Sequence, residues 1–407
     1  MIDFELSQEI VNAKNMIHML AEGAMRPISR EYDEREHEKP WDFLNMMWSA
    51  SQTANPVTFG DGKKKEKEGP SFRNLQSAVT IEELSWGDAG LYLSIPNPGL
   101  GGAAVSAAGT PEQKQRFLAR FKDGEPKWGA MAITEPGCGS DSAAITTTAA
   151  RDGDHWVING TKIFVTSGLM AAEKSDGFVV VWATVDKSAG RAGIKAFVVE
   201  RGTPGMTVTK VEHKLGIRAS DTAAIVFEDC RIPANNLLGS AEVKKTTEGF
   251  KGVMATFDAT RPAVAASAIG IGRAAVDFVR ETLEKEGIKI RYGIAPKKLT
   301  TLERDFMDME ANLQAARLLT WRASWMMDQG MHNNLEASMS KAKAGLAVTQ
   351  VTQKAVELLG PLGYSRKCLL EKWMRDAKIN DIFEGTQQIN LMIIARRILG
   401  YSSKELN

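Results

Sequence analysis

The sequence predicts an α+β multidomain protein: a helical N-terminal domain over residues 1–126, a middle antiparallel β-domain over 127–240 and a C-terminal helical bundle over 241–407. Three observations carry this reading. Apolar residues recur at helical spacing near the start, and again over much longer runs after Gly239. Between Trp128 and Pro233, short β-rich runs alternate with turn pairs instead. A chain of 407 residues is long enough for such a division and for a large buried core.

In the first domain, Phe4, Leu6 and Ile10, then Ala13, Ile17 and Leu20, recur as one helix face, and Ser7 lies three residues before Ile10 with Gln8 and Glu9 in the first turn. Pro27 and Pro40 punctuate the region, and Pro111 follows Thr110 at the start of a helix P-E-Q-K-Q-R-F-L. The stretch Asp61–Gly69 (D-G-K-K-K-E-K-E-G) has no apolar residue. It reads as a solvated loop, or alternatively as an electrostatic contact for an anionic ligand. In the middle domain, Asp152-Gly153 and Asn159-Gly160 separate β-rich runs as hairpin turns. In the last domain, Leu302, Phe306, Met309, Leu313, Ala316 and Leu319 mark one long helix, and Ala344, Ala347, Val348, Val351, Ala355 and Leu358 a second with small, close-packing side chains. Gly360-Pro361-Leu362-Gly363 breaks that run, and a short helix ending near Asp376 and a final amphipathic helix through Leu399 follow.

Net charge is +1, with 25% charged and 43% apolar residues, so no global field favours nucleic acid or an acidic membrane surface. Cys138, Cys230 and Cys368 lie far apart without C-x-x-C spacing, which points to neither a disulfide framework nor a zinc site. His18, His37, His155, His213 and His332 form no pair at metal-ligand spacing, and no metal is assigned. The acidic start M-I-D-F-E-L-S lacks the character of a signal or transit peptide, and no apolar run reaches membrane-span length. The expectation is a cytoplasmic protein with neither nucleic acid nor membrane as a partner.

The run A-I-G-I-G-R-A-A (Ala268–Ala275) formally matches a dinucleotide-binding fingerprint, but its Ala-rich lead-in has helical spacing, so Gly270 and Gly272 read as close-packing points. M-A-I-T-E-P-G-C-G-S-D (Met131–Asp141) begins like a strand and ends in a loop rich in N–H groups and hydroxyls, suited to a cofactor's polar edge or to a plain connection. K-I-F-V-T-S-G places Phe164 and Thr166 on one side of a strand, able to stack on and hydrogen-bond to a planar ring unless Phe164 packs in the core. Finally, K-I-N-D-I-F-E-G-T-Q-Q-I-N-L (Lys378–Leu391) sets Glu384 among apolar Ile379, Ile382, Phe383 and Ile389. A carboxylate stripped of water there becomes a stronger base, as C–H proton abstraction requires; the other reading is a solvated loop acid. Thr386 is placed to cap a helix starting at Gln387, and Gly385 to bring backbone close to a ligand.

Taken with F-E-L-S, N-G-T-K-I-F-V-T-S-G, L-G-I-R-A-S-D-T-A-A-I-V-F-E-D-C-R-I-P, F-D-A-T-R-P and K-W-M-R-D-A-K, these motifs run along nearly the whole chain. In that order they resemble the acyl-CoA dehydrogenase family of flavoproteins. The resemblance implies a C-terminal four-helix bundle, a homotetramer or homodimer, FAD at the domain junction, and electron-transfer flavoprotein as acceptor. It implies that Glu384 abstracts the α-proton of an acyl-CoA while the β-hydrogen leaves as hydride to the flavin N5, giving a trans-2-enoyl-CoA. Met131, Ile133, Thr134, Gly139, Ser140, Phe164 and Thr166 match flavin contacts, and Thr386 and Gln388 contacts to the adenosine half. Lys289, Tyr292, Thr300, Glu357, Gly360 and Pro361 fall on further FAD positions; Lys289, Thr300, Glu357 and Pro361 replace the family's usual Arg, Gln, Gln and Gly. Ser140, Asp258, Arg261, Phe383 and Gly385 match substrate contacts. Thr260 occupies the position where some members carry the base, and a threonine cannot serve as one. Leu91–Gly102 is expected to line the acyl pocket. An oxidase using O2 and a non-catalytic CoA-binding scaffold are the alternatives on this fold; the oxidases' extra C-terminal helical domain is absent from the sequence, and the intact F-E-G-T run speaks against the scaffold.

Overall fold

The computed structural model describes residues 5–53, 72–243, 248–401 and 405; Phe4 and the charged stretch Asp61–Gly69 lie outside them. The N-terminal part is helical: α1 (Gln8–Leu20), α2 (Arg26–Glu34), α3 (Trp41–Thr53), α4 (Arg73–Ser94), α5 (Gly99–Ala108) and α6 (Pro111–Leu118). Ser7 is the N-cap of α1, accepting from the Ile10 N–H, so Leu6 precedes the helix instead of joining its face. Thr110 and Gln113 form a reciprocal capping box ahead of Pro111. Helix α4 breaks at Asp88 (φ −168°, ψ 120°), whose carboxylate accepts from the Leu91 N–H at 2.8 Å and restarts the helix as its cap.

The middle part holds seven strands: β1 (Gly129–Ala132), β2 (Thr148–Asp152), β3 (His155–Thr166), β4 (Phe178–Thr184), β5 (Ile194–Glu200), β6 (Met206–Val211) and β7 (Thr222–Pro233). They form one sheet in the order β1-β4-β2-β3-β7-β6, with β5 also on β4. Most pairs are antiparallel as expected, but β1 runs parallel to β4, with Gly129 opposite Phe178, and β2 meets β4 in parallel at Thr148 and Thr184. Asp152-Gly153 makes the expected tight turn, since β2 and β3 pair from Asp152 and His155 outwards. Asn159-Gly160 does not turn the chain. Strand β3 continues through it, paired to β7 on both sides with a shift of register. The reason is local crowding: a side chain at Gly160 (φ 153°) would begin 2.4 Å from Thr147 Oγ1, while Asn159 exchanges hydrogen bonds with Asp229 across the bulge.

The C-terminal part comprises α7 (Glu248–Lys285), α8 (Thr301–Asp328), α9 (Asn334–Tyr364), α10 (Leu370–Ala377) and α11 (Gln387–Leu399). Ala344, Ala347, Val348, Val351 and Ala355 on α9 are all buried, as their small size requires where helices approach closely. Gly270 and Gly272 lie inside α7, where a side chain would begin 2.2 Å from the Glu82 carbonyl oxygen and 2.6 Å from Leu313, so they are packing points and not a phosphate turn. Gly360 (φ 51°) kinks α9 before Pro361, and helical turns then resume to Tyr364. One sequence expectation is corrected: Thr256–Lys285 is long and apolar enough to cross a membrane by length and composition. Its apolar window is 72% buried inside the protein, where it serves as a core helix against α4, α8 and α9.

The three parts meet at a buried ion cluster. Lys372 on α10 reaches Asp88 at 2.7 Å and Asp376 at 2.5 Å, all three side chains being at most 2% exposed. Ser29 of α2 donates to Asp88, and the Ile217 N–H of the β6–β7 connection donates to Asp376. Its carboxylates hold the Lys372 ammonium above its ordinary range in spite of burial.

Candidate active site

The Glu384 loop runs from the end of α10 to the start of α11. Glu384 (φ 56°) and Gly385 (φ 91°) both take left-handed backbone, which for a non-glycine residue costs on the order of 1 kcal/mol or more and persists where the surroundings enforce it. Those surroundings are Thr386, which caps α11 by accepting from the Ile389 N–H at 3.3 Å, and the fully buried Asn390, whose amide donates to the Gly385 and Thr386 carbonyls at 2.9 Å each. The half-buried Glu384 carboxylate accepts from Thr260 Oγ1 at 2.8 Å. Burial raises its pKa above the usual carboxylate value, opposed by the Thr260 hydroxyl and by the charges of Arg261 and Lys341. Of the two sequence readings, the structure favours the desolvated acid.

Helix α7 supplies the facing wall. Arg261, 3% exposed, pairs with Asp258 at 2.7 Å, and one of its terminal nitrogens lies 3.8 Å from where a side chain on Gly385 would begin. Burial pushes Asp258 up against the pull of Arg261. The fold thus gathers Glu384, Gly385, Asp258 and Arg261, and adds Thr260. The residue that sequence reasoning dismissed as a base is the one that hydrogen-bonds the Glu384 carboxylate; its place next to Arg261 was the available signal.

A second group forms on the sheet. Met131 is buried in β1, Ile133 and Thr134 follow half-buried, and Gly139 and Ser140 are exposed. Phe164 (φ 57°) sits at an irregularity of β3 and is 60% exposed, which excludes core packing; with Thr166 it flanks the buried Val165. An exposed aromatic ring beside hydroxyls and loop N–H groups fits the face and polar edge of an isoalloxazine. What anchors this loop was not anticipated. Glu135, 4% exposed, accepts from both the N–H and hydroxyl groups of Thr146 and Thr147 and pairs with fully buried Lys162 at 2.8 Å. Burial alone would raise Glu135, but Lys162 and the two threonines overcome it and bring the pKa to about 2.

That depressed value makes Glu135 a source of stability present above the unfolded carboxylate pKa and lost as pH falls from about 4.5 towards 2. Glu135→Gln leaves the Lys162 ammonium buried without its counter-charge. It is expected to cost about 3–5 kcal/mol at pH 7. Thermal melts from pH 7 down to 3 check this, the gap between natural and variant protein narrowing as acid removes the carboxylate.

Three other candidates bond within the chain. Thr300 caps α8 in a box with Glu303, Tyr292 donates to Glu310 at 2.7 Å, Glu357 pairs with Lys354 at 2.6 Å, and Lys289 and Gln388 are exposed. Glu36, His37 and His213 come together although sequence spacing gave no such pair. Glu36 there already accepts from His213, the Lys214 N–H and Arg218, closing an ion-pair network.

Three family models cover the chain in order: "Acyl-CoA dehydrogenase, N-terminal domain" over residues 7–125, "middle domain" over 130–230 and "C-terminal domain" over 247–399. The chain belongs to the acyl-CoA dehydrogenase family. Within that family it is 36% identical over 399 residues to the short-chain-specific acyl-CoA dehydrogenase of Clostridium acetobutylicum, spanning 98% of this chain and all of that one. It aligns with butyryl-CoA dehydrogenase from Megasphaera elsdenii at TM-score 0.84 and 31% identity, over 98% and 100% of the two chains. A chain from the structure described as "Electron transferring flavoprotein of Acidaminococcus fermentans: Towards a mechanism of flavin-based electron bifurcation" aligns at TM-score 0.83 and 34% identity, over 98% and 100%. The protein is an FAD-dependent enzyme of the acyl-CoA dehydrogenase type, and its three-part fold is that of the family.

Proposed function

We propose that this enzyme introduces the α,β double bond into a short-chain acyl-CoA with Glu384 as the base. The observation that carries it is the Glu384 carboxylate, raised by burial and held by Thr260 on a strained loop. FAD, when bound, supplies the acceptor for the β-hydrogen and its electron pair. Met131, Ile133, Thr134, Gly139, Ser140, Phe164 and Thr166 would hold its ring and polar edge, with Thr386 and Gln388 towards the adenosine half. Lys289, Tyr292, Thr300, Glu357, Gly360 and Pro361 would serve a neighbouring subunit's FAD. The Glu384 main-chain N–H donates to the thioester oxygen, stabilising the enolate-like charge as the α-proton leaves. Asp258, Arg261 and Ser140 meet the CoA moiety, Arg261 being paired with Asp258 beside the Gly385 loop, and Phe383 and Gly385 border the acyl group.

The short-chain reading rests on the Clostridium and Megasphaera relatives, named for short acyl groups. Electron-transfer flavoprotein as acceptor rests on the Acidaminococcus structure. Leu391, Met392, Ile398 and Leu399, exposed along α11, support assembly into a homotetramer or homodimer. Unbonded Cys138, Cys230 and Cys368 support a reducing compartment such as the cytoplasm. Anaerobic titration of the purified enzyme tests the reading: butyryl-CoA is expected to bleach the flavin absorbance near stoichiometrically, octanoyl- and palmitoyl-CoA much less. Bleaching by long chains alone would refute the substrate class, and a protein that cannot be loaded with FAD would refute the enzyme.

A further inference from the structure

Helix α9 carries, beneath the Glu384 loop, a lysine that the chemistry above leaves unused. Lys341 is 1% exposed, and its ammonium has no hydrogen-bond partner among the described residues. α9 closes directly on the residues that lead to Glu384: a side chain on Gly345, one turn after Lys341, would begin 2.7 Å from the Asn380 carbonyl oxygen. Next to Asn380, Asp381 gives one oxygen to Lys378 at 2.9 Å and keeps the other buried and unpaired. The charged groups facing Lys341 are Asp381 and Glu384 of the loop and Arg261 of α7. Arg261 is already paired with Asp258, and Lys378 with Asp381. An ammonium buried without a hydrogen bond is costly, and its field acts on the charges around it.

We propose that Lys341 is a positioning residue for the base: its buried positive charge keeps the Glu384 carboxylate ionised in a loop that would otherwise drive it neutral. This rests on Glu384 being the base, as proposed above. The opposing influences on Glu384 are burial, which favours the neutral acid, and Thr260, Arg261 and Lys341, which favour the anion. Desolvation lowers Lys341 itself to about 8, so at neutral pH it still carries its proton and its field.

The test is the pH profile of kcat/KM for butyryl-CoA with a dye acceptor, for natural holoenzyme and Lys341→Met, FAD absorbance and melting temperature being recorded alongside. The acid limb of Lys341→Met is expected to rise by about one pH unit, so that below the limb it turns over about tenfold more slowly. The two profiles should converge above both limbs, where Glu384 is ionised in either protein. A superimposable acid limb, or a uniform loss at every pH with unchanged shape, overturns the inference. Should Lys341→Met fail to accumulate as holoenzyme, Lys341→Gln carries the test. Like Lys341→Met it removes the buried charge, so its acid limb should rise, and an unmoved limb overturns the proposal. An inactive Glu384→Gln beside an unchanged Lys341→Met profile sinks only the role of Lys341, whereas an active Glu384→Gln sinks the base itself.

Discussion

Replacing Glu384 by Gln leaves a folded protein that binds FAD and whose dehydrogenation of butyryl-CoA falls by about 10²–10⁴-fold. Volume and shape are conserved, the Thr260 hydroxyl can still donate to the amide oxygen, and Asn390 and Thr386 still hold the left-handed loop. What disappears is the proton-accepting oxygen pair, and among the described residues no other carboxylate accepts from Thr260. Asp258 is committed to Arg261, and Thr260 has no basic form near neutral pH. Single-turnover flavin bleaching, followed alongside the flavin absorbance of the loaded enzyme, checks both halves of this expectation. Turnover within a few-fold of the natural enzyme would remove Glu384 from the mechanism.

The second large effect concerns stability. Lys372→Met is expected to lower stability by about 3–5 kcal/mol, because it strands the carboxylates of Asp88 and Asp376 in the interior without their shared cation. Methionine fills most of the lysine stem, so the loss is electrostatic and not a cavity effect. Since Asp88 belongs to α4, Asp376 to α10, and the Ile217 N–H to the β6–β7 connection, the damage should spread across all three parts of the fold. Adding Asp376→Asn to Lys372→Met relieves one stranded charge and should recover part of the loss, a coupling that independent sites would not produce. Melting temperatures of the FAD-loaded single and double variants measure it. A Lys372→Met protein that melts with the natural one would show that the cluster contributes nothing net.

Where local chemistry decides structure, the sequence was readable. Ser7, Thr110 and Thr386 each cap the helix that their position announced, because a cap needs only a side-chain oxygen three residues before a free N–H. The helical faces of α8 and α9 followed from spacing alone. Asn159-Gly160 misled because a turn signal is a statement about the backbone's freedom, and here that freedom serves a bulge that makes room for Thr147. The parallel placing of β1 on β4 was invisible for a similar reason: strand direction is set by which partner is adjacent in space.

The order of helices, sheet and helices, the apolar setting of Glu384 and the strand-then-polar-loop character of the run from Met131 were determined by the sequence alone, since periodicity and neighbouring residue types act over a few positions. That Thr260 holds the Glu384 carboxylate, that Lys341 lies buried on α9 near its loop, and that Glu135 and Lys372 lock the loop and the domains were decided only by the tertiary structure. These pairs join groups up to 284 positions apart, as Asp88 and Lys372 are. The energy of a buried charge depends on which partner the fold places within a few ångströms, and spacing along the chain does not record that.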